Sequence, residues 1–198
     1  MALAPLGRRA VHVAIDLQRM FAEPGAWQVA GLARIVPNIA AIAEARPDRT
    51  VFTRFVVPRT AEGAEGRWRH YYRHWEDFTG DKLPAGQIEI VEALAHLAEP
   101  RRIFDKTAYS AFTSGPFVRH LADVSADTLI VTGVETDVCV LATVLDAVDR
   151  GLRVVAVADA LASSSPAGHS ATLDHVLPRF DRQIDIASAA EVQAAWAI

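Results

Sequence analysis

The sequence predicts an α/β fold, a three-layer α/β/α domain on a mainly parallel sheet of about six strands. Three observations point to it. Short β-branched runs recur with helix-like segments between them, several runs are too continuously apolar to alternate, and the alternation of the two element types implies parallel strands joined by right-handed crossovers. The strand candidates are VHVAI (11–15), TVFTRFVV (50–57), RRIF (101–104), TLIVT (128–132), RVVAVA (153–158) and QIDIA (183–187).

Two of the intervening helices are clearest. Segment 31–45 places Leu32, Ile35, Val36, Ile39 and Ile42 at spacings of three and four. Segment 136–150 carries Val140, Val144 and Val148 on one stripe and is stopped by Gly151, where a left-handed C-cap residue is wanted. No internal repeat and no linker divides the chain, so residues 1–198 read as a single domain.

One stretch breaks the rhythm. Residues 58–86 hold Trp68, Tyr71, Tyr72, Trp75 and Phe78 among charges, glycines and prolines. The stretch is too aromatic for a solvated linker and too punctuated for one long helix, so it reads as an excursion over the carboxyl ends of the strands. It serves as a lid or a subunit contact, or its aromatics anchor a loop to its own domain.

Composition narrows the function. The chain is 51% hydrophobic with a net charge of −4, from 24 acidic and 20 basic residues, so no sequence-wide positive excess exists to neutralise nucleic acid or an anionic membrane. No apolar run approaches the roughly 20 residues that cross a bilayer, and MALAPLGRR lacks an apolar core of signal-peptide length. The expected setting is cytoplasmic. A lone cysteine excludes internal disulfides and zinc sites needing two thiolates, leaving Cys139 as a buried filler or a reactive thiol.

In open parallel sheets ligands collect beyond the carboxyl ends of the strands, which directs attention to the polar residues ending each apolar run. Asp16 ends the first in AIDLQRMF, Lys106 follows the third in FDKTAYSAF, and Cys139 follows the fourth in GVETDVCVLAT. Singly, an Asp there is often a turn or cap residue and a Lys a solvated charge. Cys139 falls near the first turn of the predicted helix 136–150, where free N–H groups and the positive dipole end favour a thiolate. A neighbouring ammonium lowers a thiol pKa, and a neighbouring carboxylate can take its proton and pass it to a leaving group.

Together AIDLQRMF, FDKTAYSAF and GVETDVCVLATVLDAVDRG resemble the isochorismatase-like cysteine hydrolases, which include nicotinamidases, N-carbamoylsarcosine amidohydrolases and ureidoacrylate amidohydrolases. The resemblance covers nearly the whole chain and is weakest in 58–88. It implies strand order 3-2-1-4-5-6, Cys139 as nucleophile, Asp16 as general base and acid, and Lys106 as the group that stabilises the thiolate. It also implies a cis Val134-Glu135 peptide, which turns the Glu135 N–H toward substrate to form an oxyanion hole with the Cys139 N–H. The implied reaction is hydrolysis of a small amide, ureido or carbamoyl compound through a thioester, releasing ammonia or carbamate without a cofactor. Family members of this kind commonly self-associate, so a homo-oligomer is expected.

Two departures refine this. Nicotinamidases carry an Asp-x-His pair after the second strand and a further His, whereas this strand ends TRFVVPRT. His70 and His74 lie four apart but lack such a pairing and read as surface or packing residues, so no metal is expected. Relatives that hydrolyse the vinyl ether of isochorismate do not need the cysteine, so Cys139 favours C–N bonds. That vinyl-ether chemistry with Asp16 as acid, and a non-catalytic binding or assembly module, are the rival readings.

The substrate is less determined. Arg54 pairs a substrate carboxylate or serves as a structural ion-pair partner. Phe21, Trp75 and Tyr109 are candidate walls around a small planar amide, with Gln18 and Thr136 as hydrogen-bonding groups at the mouth. Asp159, His169 and the serines 163–165 read as turn and helix-capping residues.

Overall fold

A computed structural model describes residues 3–196. In chain order the main elements are β1 (Ala10–Ile15), α1 (Arg19–Ala22), α2 (Leu32–Ala45), β2 (Thr50–Phe55), α3 (Gly66–His74), α4 (Glu92–Ala95) and β3 (Ile103–Lys106). There follow α5 (Gly115–Asp123), β4 (Thr128–Val134), α6 (Leu141–Asp149), β5 (Arg153–Ala162), α7 (Pro166–Ala171), β6 (Ile184–Ala187) and α8 (Ala189–Ala195). The strands form one sheet in the order β3-β2-β1-β4-β5-β6. Every pairing between them is parallel. The order reverses between β1 and β4, the place where such sheets open a crevice at their carboxyl ends.

The continuously apolar strands have the predicted cause. On β1, Ala10 and Ala14 enter a core that includes Leu32, Ile35, Ile39 and Ile42 of α2 and Val192 of α8. The alternate residues Val11, Val13 and Ile15 enter the opposite core, with Phe117 and Leu121 of α5 and Val144 and Ala147 of α6. With both sheet faces covered, neither set of alternating side chains reaches water. His12, also wholly buried, is satisfied by Thr50 at 3.2 Å and Thr132 at 2.9 Å.

Helix ends follow their local chemistry. Gly151 has φ +79° beyond the end of α6, and its N–H and that of Leu152 donate to Val148 and Ala147, closing a Schellman motif. Ser188 and Glu191 form a capping box at α8.

The strand bounds differ most from expectation at β3 and β5. Residues 100–102 form a 3-10 turn, which shifts β3 forward so that Lys106 is its last residue rather than a residue beyond a strand ending at Phe104. β5 continues past an irregularity in its pairing with β4 and ends at Ala162.

The excursion is tied down within the chain. Its ends meet where Gly80 and Asp81 donate to the carbonyls of Pro58 and Arg59. Tyr72 is buried, and Trp68, Tyr71, Trp75 and Phe78 pack on the core beneath α2, so its aromatics anchor it to its own domain. No helix among the described residues is long and apolar enough to cross a membrane.

Candidate active site

Three strand ends supply the site. The chain leaves β1 through Asp16 at φ +53°, a left-handed turn that Asp adopts more readily than most residues. That turn is held by Thr53 on β2, whose hydroxyl donates to Asp16 Oδ1 at 2.7 Å. The other carboxylate oxygen accepts from Lys106 Nζ at 2.6 Å, and both side chains are fully buried. Lys106 also donates to the Ala108 carbonyl at 3.2 Å and stands 5.0 Å from the centre of the Phe55 ring.

The third member arrives from β4. Gly133, at φ +110°, passes so close to β1 that a Cβ there would land on the Ile15 carbonyl. Beyond it the Val134-Glu135 peptide is cis, as the resemblance implies, and Thr136–Val140 forms a wide π turn leading into α6. Cys139 sits on that turn rather than in a regular helix start, 7% exposed, with its carbonyl accepting from Thr143 Oγ1 at 2.7 Å. Its thiol lies against both Asp16 and Lys106.

Burial pushes the Cys139 thiol well up, the Asp16 carboxylate pushes it further, and Lys106 pulls it down by less than these combined. Burial opposes the charge on Lys106, but Asp16 and Cys139 outweigh it and hold the ammonium above its ordinary range. The resting arrangement is therefore a neutral thiol beside an Asp–Lys ion pair, not a preformed thiolate.

Cys139 opens on a cavity of about 190 Å³. Its walls are Phe21, Trp27, Phe55, Tyr71, Trp75 and Tyr109, with Glu135 and Ser164 as polar lining. Trp27 organises the wall, stacked on Phe78 at 4.0 Å between ring centres and on Phe21 at 6.1 Å.

Of the expected substrate-binding residues, the structure brings Phe21, Trp75 and Tyr109 to this cavity and directs three elsewhere. Gln18 is fully buried, its amide donating to the Phe55 and Ile88 carbonyls and accepting from the Phe55 N–H, which stitches the end of β1 to β2. Arg54 is committed to Asp105 at 2.8 Å and Glu89 at 2.9 Å, the structural alternative. Thr136 is buried and hydrogen-bonded to His169 Nδ1 at 2.8 Å.

Sequence reasoning missed Trp27, Tyr71 and Ser164. Trp27 lies in the connection after the central strand β1, and Ser164 in the one after β5. Their signal was position at a strand's carboxyl end. Ser165 does cap α7, and Asp159 accepts from the Ala189 N–H, as turn chemistry suggests. His70 and His74 are exposed, and His74 packs edge-on against Trp75. Among the described residues no three His, Cys, Asp or Glu side chains are grouped to hold a metal ion.

Fold and site thus define a doubly wound α/β protein with a buried carboxylate, ammonium and thiol at its switch point. The chain belongs to the isochorismatase family: the isochorismatase domain model matches residues 10–188. It is 32% identical over 133 residues to an uncharacterized isochorismatase family protein, PncA, of Bacillus subtilis, covering 67% of this chain and 64% of that protein. It is 31% identical over 176 residues to a probable inactive nicotinamidase of Arabidopsis thaliana, with 86% and 89% covered. It is 30% identical over 152 residues to an N-carbamoylsarcosine amidase of Arthrobacter, with 74% and 57% covered. The chain therefore spans less than two thirds of the length of the first and third of these relatives. A cysteine hydrolase from Pseudomonas syringae pv. phaseolicola superposes with a TM-score of 0.82 at 27% identity, covering 98% of this chain and 96% of that one.

Proposed function

We propose that the protein hydrolyses a non-peptide C–N bond in a small amide, ureido or carbamoyl compound, with Cys139 as nucleophile. The observation that carries this is the buried contact of Asp16, Lys106 and Cys139 at the floor of an aromatic cavity. Similarity to an N-carbamoylsarcosine amidase and to a cysteine hydrolase supports it.

Asp16 accepts the thiol proton as sulfur attacks the carbonyl carbon, so charge appears on sulfur only during attack. The carbonyl oxygen, gaining negative charge, is held by the N–H groups of Glu135 and Cys139. The C–N bond then breaks as Asp16 returns the proton to nitrogen, leaving a thioester and releasing ammonia or an amine. Water attacks the thioester, Asp16 takes its proton, and collapse breaks the C–S bond to give the acid and, with the proton returned, the thiol. Lys106 holds the carboxylate in place and balances its charge through both halves. The aromatic walls exclude competing water and suit a planar substrate.

The test is a panel of small amides and ureido acids assayed for ammonia release, with Cys139→Ala and Asp16→Asn beside the wild type. Loss in both variants is expected. Release that persists undiminished in Cys139→Ala would sink the mechanism, and hydrolysis of an isochorismate-like vinyl ether that survives Cys139→Ala but is lost in Asp16→Asn would indicate acid-type chemistry instead.

A further inference from the structure

We propose that the substrate is a small amide carrying a positively charged alkylammonium head, and that the Glu135 carboxylate and the aromatic wall of the Cys139 cavity bind that head. The substrate class so named rests on the cysteine-hydrolase reading of the same site.

Glu135 is the one charged side chain among the described residues that line this cavity. Apart from it, Ser164 and Cys139, the lining is aromatic or aliphatic. Beside Cys139, Lys106 is balanced by Asp16 at 2.6 Å, so the floor adds no net positive charge. Glu135 Oε1 accepts from the Ser164 N–H at 2.8 Å, which fixes the carboxylate against the loop after β5. Its second oxygen has no hydrogen bond among the described residues. Burial chiefly pushes the Tyr71 phenol up, and Tyr109, Cys139 and the Glu135 carboxylate add to the push, so the charge of Glu135 is felt at the aromatic wall.

That wall is continuous. The ring centres of Phe21, Phe55, Tyr71 and Trp75 each lie 6.1 or 6.2 Å from that of Trp27. Tyr109, half-exposed, completes it on the solvent side. Aromatic faces are electron-rich and attract cations, and several rings beside one carboxylate make the kind of cage that recognises alkylammonium groups. Methyl groups on nitrogen spread the charge over a weakly hydrated surface that packs on rings.

The other classes of head group fit less well. A neutral one would set the Glu135 carboxylate against apolar surface, stripped of water and without a counter-charge, and that is costly. An anionic one would meet the carboxylate as a like charge. A cation satisfies both the carboxylate and the rings. The cavity of about 190 Å³ is smaller than the roughly 300–1,000 Å³ of sites for drug-sized ligands, so the head lies within a few bonds of the amide.

The experiment uses trimethylammonio amides with one to three methylenes between nitrogen and carbonyl, and their neutral isosteres in which a tert-butyl group replaces the head. Binding to Cys139→Ala protein is measured by calorimetry, then repeated in Cys139→Ala/Glu135→Gln, which keeps an acceptor for the Ser164 N–H, and in Cys139→Ala/Trp75→Leu. At least one cationic amide is expected to bind about tenfold or more tightly than its isostere, with each second substitution cutting that ratio at least threefold. No binding of any cationic amide, a ratio below tenfold for every pair, or a ratio that Glu135→Gln leaves within threefold overturns the proposal. The isostere comparison decides by itself if the double variants do not fold. Wild-type turnover of the same pairs separates the two levels. Ammonia release undiminished in Cys139→Ala refutes the underlying reading, while Cys139-dependent release that ignores the charge of the head refutes only the cation site.

Discussion

Gly133 and Ile15 lie in such close backbone contact that residue 133 has no room for a Cβ, and this contact brings the β4 turn bearing Cys139 against the β1 end bearing Asp16. Gly133→Ala adds a clash to a backbone angle that L side chains rarely adopt, with an expected loss of about 3 kcal/mol or more. Urea unfolding checks it. A midpoint equal to that of the wild type would show that the two strands separate without cost.

The Lys106–Asp16 pair is buried on both sides, so removing either partner strands a charge. Lys106→Met and Asp16→Asn are each expected to destabilise by about 3–5 kcal/mol, and the double variant by clearly less than their sum. A double-mutant cycle in chemical denaturation measures the coupling. Additive losses would mean that the two side chains do not depend on each other.

The thiol chemistry has a counterintuitive sign. Asp16 helps push the Cys139 thiol up and Lys106 pulls it down. Asp16→Asn, expected to stop turnover on the proposed mechanism, is therefore also expected to raise the alkylation rate of Cys139 by iodoacetamide at neutral pH severalfold, because the thiolate fraction increases. Slower alkylation than in the wild type would contradict the resting state of neutral thiol and ion pair.

His12 links stability to acid pH. Burial pushes its pKa down from 6.5 to about 3, so between those values the unfolded chain binds a proton that the folded chain refuses. Stability is complete above pH 6.5 and falls as pH drops toward 3, by at most about 1.4 kcal/mol per pH unit from this group. Melting curves from pH 7 to 5 should show a shallower fall in His12→Gln than in the wild type. An identical fall would assign the acid sensitivity elsewhere.

The sheet and the clustering of Asp16, Lys106 and Cys139 were legible because both rest on simple periodic information. Apolar runs mark strands, and the polar residue closing a run marks the carboxyl end. What a run does not reveal is which way a side chain points once the strand is paired. Arg54 stands between Thr53, which reaches Asp16, and Phe55, which lines the cavity, so strand alternation turns it to the opposite face, where Asp105 and Glu89 take its charge. Gln18 and Thr136 have the right chemistry at the right strand ends, but the backbone of β2 and the ring of His169 occupy them. Trp27 escaped notice because its role comes from stacking on Phe78, a partner fifty-one positions away that no local pattern connects to it.

Lys106 is the final residue of β3, an outermost strand only four residues long, whereas Asp16 and Cys139 follow the two central strands. Local opening starts where a strand has a neighbour on one side only and few pairings to break. Warming should therefore peel Lys106 away from a sheet that is otherwise intact. The Asp16–Lys106 contact is then expected to be lost on heating before the helices melt, so that the buried charge pair is the first part of the sheet's carboxyl end to come apart.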